Sequence, residues 1–388
     1  MLSHLDEHFY HQLPETMDRV DDADPRWMDQ HWFQAMDTQG RFIVGANWPV
    51  WLTNNLVESG QIIVHGDTQY NLRFQREWKQ EGYKSERFNL KVGPCSMEVL
   101  EPMRRARFAL DSDNEWGISY ELEMETRFKP VETRTPIYSR RNGLANILPY
   151  FEMLGRWSGW LHVDGQTYDI NHNNCWGQRD RCWATLGGER MQGWLPPMGT
   201  GTGVAPVSAG RLHWHSHIQF EDIAFWWWLD EHLGHPRLNG TLSDNRGGHF
   251  DGAVTWLRGD PREQLRLVDF KDYDVRSQPG TTKFQAARVT VVDEHGKEYP
   301  LEFEIIAPNA TRHIRGEGYG DPEFLGGYNG PWYHKFDKYD LSDYESYKNF
   351  AAAPWSGEHA VNARYRDREG MGHMEMSGVP PLPQWGIS

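Results

Sequence analysis

The chain has 388 residues, enough for two domains of ordinary size, each with a sizeable core. Its formal net charge of -15 argues against the backbone of a nucleic acid or an anionic membrane surface as a partner. The 3 cysteines have no C-x-x-C spacing and suit a reducing compartment, and no apolar run approaches the ~20 residues that a membrane span needs. We therefore expect a soluble cytoplasmic protein that binds neither nucleic acid nor membrane.

Aromatic side chains are unusually frequent, at 13% of the residues. Such large flat side chains suit β-structure, because they pair across neighbouring strands. They also suit a pocket for a bulky apolar ligand, since pockets are lined mainly by apolar and aromatic groups. The composition favours a β protein that binds a small hydrophobic or aromatic molecule.

In chain order, the acidic segment at residues 1–26 is expected to form an arm or a short helix ahead of the fold. From Trp27 onward, short alternating runs of apolar and polar residues predict strands. Two hairpins are predicted in this half, one at residues 61–73 and one at Asp164-Gly165, a dipeptide typical of tight hairpin turns. We place the first β domain at residues 27–190.

A Pro- and Gly-rich stretch at residues 191–210 cannot extend a strand or a helix, and we predict that it links two domains. Strand patterns resume after it, so a second β domain is placed at residues 211–380, followed by a tail at residues 381–388. Helical periodicity is nearly absent from both halves. The sequence thus predicts an all-β protein built from two related barrels or curled sheets.

Between Asn171 and Asp180 the strand alternation stops and polar side chains crowd together. Residues that need so many hydrogen-bond partners either anchor one another or face a ligand. Arg179 and Asp180 are neighbours on a predicted strand and face opposite sides, so one can face a pocket while the other anchors the fold. Trp176 shares its face of that strand with Asn174.

This polar segment resembles a motif of a known family. His172-Asn-Asn-Cys-Trp-Gly-Gln-Arg-Asp180 is similar to the R-D-H-S-W-G-x-R-D-W strand of the AttH-like superfamily, which includes carotenoid 1,2-hydratase (hydroxyneurosporene synthase) and tocopherol-cyclase-like proteins. The W-G-x-R-D core is kept, whereas Asn173-Asn174 replaces the family's Asp-His pair. The resemblance implies two lipocalin-like β-barrels, or curled antiparallel sheets, side by side. It also implies cofactor-free acid-base chemistry on a small hydrophobic terpenoid, steroid or aromatic substrate, lignin-derived compounds included.

The sequence His213-Trp-His-Ser-His217 places three imidazoles at alternate positions, so on a strand they share one face. Two of them, at i and i+2, could grip a metal ion, but the first and third lie ~13 Å apart and cannot share one ion. A zinc site would need a further ligand from elsewhere, and no metal motif supplies it. We predict no metal. The histidines are then either structural, or a pocket face on which His213, His215 or His217 moves a proton.

Two further clusters are candidates for proton transfer. Tyr273 and Asp274 belong to a dense group of carboxylates and a phenol at a strand end, for which the alternative is a solvated turn. His373 and Glu375 alternate onto one face of a strand near the C-terminus. We expect the strands that carry Asp180, the three histidines and Glu375 to converge on one aromatic pocket.

The sequence therefore favours an acid-base enzyme of the lyase, hydratase or cyclase type. No nucleotide cofactor is predicted, because the Gly199–Gly203 run lacks the Lys and the helix of a P-loop. A carrier of lipophilic molecules and a carbohydrate-active protein are the alternatives, and a homo-oligomer is left open. The predicted catalytic residues are His213, His215, His217, Asp180, Tyr273, Asp274, His373 and Glu375. The predicted substrate-binding residues are Asn174, Trp176, Arg179, Trp214 and Trp227.

Overall fold

The computed structural model describes residues 2–9, 27–78, 89–133, 137–139, 145–147, 150–185, 210–232, 237–239, 248–318, 323–345, 355–379 and 381. Within these residues strands predominate, and the predicted all-β class is confirmed: one large curled sheet lies beside a closed barrel of eight strands. No helix in this part of the chain is both long and apolar enough to cross a membrane.

The strands follow one another along the chain with few other elements between them. The first part of the chain forms β1 (Trp27–Asp37), β2 (Phe42–Trp51), β3 (Leu56–His65), β4 (Thr68–Glu77), β5 (Asn89–Val92), β6 (Cys95–Glu101), β7 (Arg105–Leu110), β8 (Ser119–Thr126), β9 (Val131–Glu132), β10 (Ile137–Ser139), β11 (Ala145–Ile147), β12 (Tyr150–Val163), β13 (Gln166–Ile170) and β14 (Cys175–Thr185). The remainder forms β15 (Arg211–Gln219), β16 (Ile223–His232), β17 (Arg237–Asn239), β18 (Gly248–Trp256), β19 (Leu265–Ser277), β20 (Phe284–Asp293), β21 (Glu298–Ile305), β22 (Thr311–Arg312), β23 (Trp332–Asp340), β24 (Trp355–Tyr365) and β25 (Arg368–Val379).

These strands form two large sheets. In the first sheet the order is β23-β4-β3-β2-β1-β14-β12-β8-β7-β6-β5, and β9 and β13 pair with β12 beside this path. In the second sheet the order is β16-β15-β25-β24-β21-β20-β19-β18-β17, and β22 pairs with β24. An additional pairing of β16 with β18 closes the second sheet into the barrel. β10 and β11 form a separate hairpin.

The first sheet takes one edge strand from the second half of the chain. β23 lies within the predicted second domain, yet it pairs with β4 along its whole length, from Trp332 opposite Arg76 to Asp340 opposite Thr68. The predicted linker at residues 191–210 lies almost entirely outside the described residues, so the domain boundaries stay a prediction. No single cut in the sequence separates the two sheets completely.

Local signals in the first half are borne out by the backbone. Asp164-Gly165 has φ angles of 49° and 73°, the left-handed pair that a type I′ hairpin turn requires. β3 and β4 form the other predicted hairpin. In the predicted arm, Ser3 caps a short 3-10 helix, His4–Glu7. Buried Glu7 forms an ion pair with Arg179 of β14, so the start of the arm is anchored in the first sheet.

Alternation along the strands creates three buried layers. One core lies on one side of the first sheet, around Phe33 and Trp157. A second core fills the barrel, where Trp214 and Trp227 pack against Phe270. The third layer, which we call the seam, lies between β1, β12 and β14 of the first sheet and β15, β16 and β25 of the barrel.

The seam is apolar towards its ends and polar in its middle. On β1, Met28 and Met36 belong to two different apolar clusters, and Trp32 lies between them with its ring facing the barrel histidines. On β14, Cys182 and Trp176 belong to the same two clusters. Side chains two residues apart on a strand face the same side. The polar middle of the seam is therefore enclosed by apolar contacts.

Gly177, in the W-G-x-R-D segment, is required by close packing of backbones. A Cβ at this position would lie 1.9 Å from the carbonyl oxygen of Gln34 and 2.6 Å from Nε1 of Trp157. We predict that Gly177→Ala lowers the free energy of unfolding by at least about 2 kcal/mol, because backbone must move to relieve the overlap. Urea denaturation followed by tryptophan fluorescence measures this change.

Gly66→Asn is the matched control for this prediction. Gly66 has a φ of 56° and open space around its Cβ position, and Asn tolerates the left-handed region. Its cost should stay within about 1 kcal/mol. Equal stability losses for the two variants would contradict the packing explanation.

Candidate active site

β15 presents three histidines to the seam and its apolar side chains to the barrel core, as the alternating pattern predicts. The side chains of His213, His215 and His217 are 14%, 11% and 0% exposed. The row of imidazoles therefore runs from a solvent-accessible end into the interior. On the neighbouring β25, His373 pairs in register with His217, and Glu375 with His215.

The outer end of the row places His213 between two carboxylates. Its Nδ1 lies 3.2 Å from Oδ1 of Asp230, and its Nε2 lies 3.6 Å from Oε1 of Glu375. Trp228 Nε1–H donates to the other carboxylate oxygen of Asp230 at 2.8 Å, which orients that group. Burial by itself lowers the pKa of His213, but the two carboxylates raise it to about 9. We call His213, Asp230 and Glu375 the outer group.

His215, in the middle of the row, contacts carboxylates from both sheets. Its Nε2 lies 3.4 Å from Oε1 of Glu152 on β12, and its Nδ1 lies 3.5 Å from Oε2 of Glu375. Burial opposes the charged form, but these carboxylates raise the pKa of His215 to about 9. Trp226 acts in the opposite direction, because its Nε1–H donates to His215 Nε2 at 2.8 Å and only an unprotonated nitrogen accepts. The two influences exclude each other: His215 is neutral, with its proton on Nδ1, while Nε2 accepts from Trp226, and protonation of Nε2 breaks that hydrogen bond.

His217 lies at the inner end of the row. Its Nε2 is 2.6 Å from Oε2 of Glu152, and its Nδ1 is 3.2 Å from Nδ1 of His373. Burial lowers the pKa of both His217 and His373. Burial alone would raise the pKa of Glu152, but His217 and His215 hold it below its usual value. We call Glu152, His215 and His217 the inner group.

Asp180 of the W-G-x-R-D segment is brought to the same part of the seam. Burial, and next the negative charge of Glu152, raise its pKa well above the usual value, while His215 acts the other way. The Oδ1 atom of Asp180 is buried and has no hydrogen-bond partner among the described residues. Such surroundings favour the uncharged carboxyl group.

A buried arginine neutralises further carboxylates of the seam. Arg312 forms ion pairs with Glu317 and Glu358, and its Nε–H donates to Gln34 Oε1 at 2.9 Å. Its guanidinium carbon lies 5.1 Å from the centroid of the Trp32 ring. Trp32 Nε1–H in turn donates to Glu317 Oε1 at 3.0 Å. These contacts hold Trp32 beside His373, with ring centroids 5.6 Å apart.

The inner group offers three metal-ligating atoms. One ligand atom from each of Glu152, His215 and His217 lies within 4.8 Å of the other two, and all three residues are buried. The sequence shows the two histidines at i and i+2, whereas the third donor comes from the other sheet. Within the part of the chain that the structure describes, this is the only group of three such residues.

Trp226 also connects the inner group to a cavity. It lines a space of about 230 Å³ together with Val131 of the first sheet and Asp251, Gln264 and Arg266 of the barrel. The same indole donates to His215 Nε2. A molecule in this cavity would therefore contact Trp226, whose hydrogen bond determines whether Nε2 of His215 is protonated.

Four predicted site residues belong to the barrel core or its surface and lie away from the seam. Trp214 and Trp227 belong to the barrel core on the opposite faces of their strands, so the structure does not bring them to the histidines. Tyr273 packs against the outer part of the same core. Asp274 is 43% exposed on its side chain and lies near Arg276 at an irregularity of β19. The placement of Tyr273 and Asp274 favours the alternative of a solvated, structural cluster.

The W-G-x-R-D segment divides between site and scaffold. Asn174 caps a turn, where it accepts from Asn171 N at 2.8 Å, so it does not face the seam histidines. Arg179 is fully buried and pairs with Glu7 on the side opposite to Asp180, as expected for neighbours on a strand. Trp176 packs at one end of the seam, and its ring is covered by the Arg156 guanidinium at 4.0 Å.

Several site residues escape the sequence analysis. They are Glu152, Asp230, Trp226, Arg312, Glu317 and Glu358. The signal for Glu152 is a lone carboxylate inside the apolar run Tyr150–Leu154, where a buried charge must find a partner. Which residue is that partner cannot be seen from sequence, because it lies on β15, 65 positions further along the chain.

The chain belongs to a family of unknown function, DUF8625, whose model matches residues 2–388. No curated protein matches its sequence. Among solved structures it is similar to kievitone hydratase from Nectria haematococca, at 9% identity and a TM-score of 0.42, with 90% of this chain and 88% of that chain covered. It is also similar to CghA with Sch210972, at 9% identity and a TM-score of 0.46, and to a second CghA structure, at 8% and 0.48. Both CghA comparisons cover 95% of this chain and 93% of that chain.

His359 lies next to Glu358 on β24, and the pH dependence of stability tests whether its imidazole is buried as the structure shows. Burial lowers its pKa from 6.5 to about 3. Between these two values the unfolded chain binds a proton that the folded chain does not, so stability is lost as pH falls below 6.5, by about 1.4 kcal/mol per unit. We predict that His359→Phe, which keeps a ring against Phe284, removes this part of the pH dependence.

The measurement is the free energy of unfolding at pH 7 and at pH 5 for both proteins. The wild type should lose about 2 kcal/mol more than His359→Phe over this interval. His295→Gln, at an exposed turn position, serves as control and should keep the wild-type slope. A slope that is the same in all three proteins would contradict the assignment.

Proposed function

We propose that this protein is an enzyme of the lyase or cyclase type, which adds, removes or relocates a proton on a small hydrophobic or aromatic substrate. The observation that carries the proposal is the outer group at the accessible end of the seam, where the Trp228 ring packs against His213. Water addition or loss and ring closure are the reactions that such an arrangement suits.

His213 is the group to which we assign proton transfer. It is the most exposed of the three imidazoles of β15, so a substrate can reach it. Asp230 orients the ring through Nδ1, and Trp228 in turn orients Asp230. A proton-transfer group held by a second, fixed group is the arrangement that acid-base catalysis requires. Glu375, 3.6 Å from Nε2, is close enough to exchange the proton through a small movement.

Aromatic rings near His213 favour a hydrophobic substrate. The Trp228 ring lies edge-on to His213, with centroids 5.5 Å apart, and 5.7 Å from His215. Indole faces stabilise positive charge that develops on a substrate when an alkene is protonated. The barrel core is filled by its own side chains, so the substrate site proposed is the seam rather than the barrel interior.

The test uses the natural ligand where one can be found. Small molecules that co-purify with the protein are identified by mass spectrometry, and turnover in D2O is followed as deuterium incorporated into the product. We predict that His213→Gln lowers the rate by about 100-fold or more, as expected for loss of an acid-base group. Glu375→Gln should also lower the rate of turnover.

Asp274→Asn is the matched control, because Asp274 is a carboxylate on the barrel surface. Its rate should equal that of the wild type. A carrier of lipophilic molecules is the better interpretation under two conditions. His213→Gln and Glu375→Gln bind the co-purified molecule as tightly as the wild type does, and neither the wild type nor the variants convert it to a product.

A second candidate function has one observation in its favour. On the first sheet, a groove of about 420 Å³ is lined by Phe74, Trp332 and Phe336 together with Asp113 and Glu115. Exposed aromatic faces beside carboxylates suit a sugar, and Trp332 is 45% exposed. A carbohydrate-binding protein would therefore lose affinity for soluble glycans in Trp332→Ala, while His213→Gln would leave that affinity unchanged.

A further inference from the structure

We infer that Glu152, His215 and His217 form a binding site for a divalent transition-metal ion, for which Zn²⁺ is the best match. The inference goes beyond the proposed function and does not depend on it. It also reverses the expectation that no metal binds, which was drawn from the spacing of the histidines and from the lack of a metal motif in the sequence. The spacing of the histidines requires a third ligand from another part of the chain. Glu152 of the first sheet is that ligand.

The two imidazoles are oriented as metal ligands are. Both direct Nε2 towards the carboxylate of Glu152, at 3.4 Å for His215 and 2.6 Å for His217. Both direct Nδ1 away from it, towards an outer partner: Glu375 at 3.5 Å for His215 and His373 at 3.2 Å for His217. Metal-ligating histidines almost always engage their second nitrogen in this way, which fixes the ring. Without metal, His217 Nε2–H donates to the carboxylate of Glu152, so a bound ion replaces that proton.

One carboxylate oxygen of Glu152 is available as a metal ligand. Its Oε1 atom is buried and accepts no hydrogen bond from the described residues, although His215 Nε2 lies 3.4 Å away. While that nitrogen accepts from Trp226 it carries no proton and cannot donate to Glu152, so two electron-rich atoms lie 3.4 Å apart. Lone pairs in such proximity are stabilised by a cation between them.

The separations suit one small ion after a modest adjustment. Ligand atoms at bond lengths of ~2.0–2.1 Å around tetrahedral zinc lie roughly 3.3 Å from one another. The three donor atoms here lie within 4.8 Å of one another, so side-chain movements of about 1 Å bring them to one ion. Two neutral imidazoles and one carboxylate form a ligand set known from catalytic zinc sites.

Two neighbouring residues affect the proposed metal site in opposite ways. Asp180 lies directly opposite Glu152 in the pairing of β12 with β14, and its buried Oδ1 has no hydrogen-bond partner among the described residues. Asp180 is therefore the residue best placed to occupy or approach the fourth coordination position of the ion. Trp226 competes with the ion, because its Nε1–H occupies the lone pair of His215 that the metal would take.

The test measures metal binding on full-length protein with no substrate present, so its result is independent of the proposed function. Protein freed of metal by dialysis against a chelator is titrated with Co²⁺, whose visible absorption reports coordination, and with Zn²⁺ in a calorimeter. We expect one ion per chain and an intense tetrahedral-type Co²⁺ spectrum. No binding, or a weak spectrum like that of the hydrated ion, overturns the inference.

Substitutions then locate the ion. Glu152→Gln, His215→Gln and His217→Gln should each weaken binding by about 100-fold or more, because each removes a ligand. His334→Gln, an exposed histidine of β23, is the control and should bind as the wild type does. Equal affinities in all four variants overturn the inference, since the ion then sits on the surface.

Trp226→Phe tests which atom of His215 binds. Without the indole donor the Nε2 lone pair is free, so Co²⁺ should bind more tightly than to the wild type. Unchanged or weaker binding in this variant contradicts Nε2 as the ligand atom and overturns the geometry proposed here. If Glu152→Gln does not fold, the spectrum of the wild type and the affinity of Trp226→Phe still decide.

Discussion

The two sheets depend on the pairing of charges that are buried between or beside them. A buried charge without a partner costs several kcal/mol, and removing one member of a buried pair leaves that cost uncompensated. Arg312 joins Glu317 and Glu358, while Arg179 holds Glu7 and so ties the N-terminal 3-10 helix to the first sheet. Contacts that cross from the first sheet to the second half of the chain join Glu152 to His217, Arg156 to Glu221 and Gln34 to Arg312, and they are made only in the docked arrangement. The seam that contains the candidate site is a consequence of that arrangement.

The seam combines two kinds of contact with different effects. Apolar clusters towards its ends, which include Met28 and Met36, exclude water and supply the burial of apolar surface. The polar middle, around Trp32 and His217, supplies directional contacts that set the relative position of the strands. Every strand that borders the seam also serves a core on its other face. A single strand such as β15 thus contributes to barrel stability and to the site at once.

The outer and inner groups are in contact, because Glu375 of the outer group also lies near His215 of the inner group. Glu375 lies between His213 and His215, so a change in the charge of one imidazole is felt by the other. Glu152 is the contribution of the first sheet and lies close to His215 and His217 of the barrel. The site is complete only when the two sheets are docked. Trp226, which borders a cavity, provides a route by which a bound molecule would influence the inner group.

The sequence by itself determined the fold class, the hairpins, and which side chains share a face of a strand. These follow from the period of two along a strand and from the left-handed φ angles that Asp164-Gly165 adopts, both of which are local. It therefore predicted correctly that the β15 histidines share one face and that Arg179 and Asp180 face opposite sides. What lies opposite a face is decided by the packing of distant strands. Only the tertiary structure could place Glu152 against His217, or show that Trp214 faces a filled barrel, because those contacts depend on the docking of two sheets rather than on any local pattern.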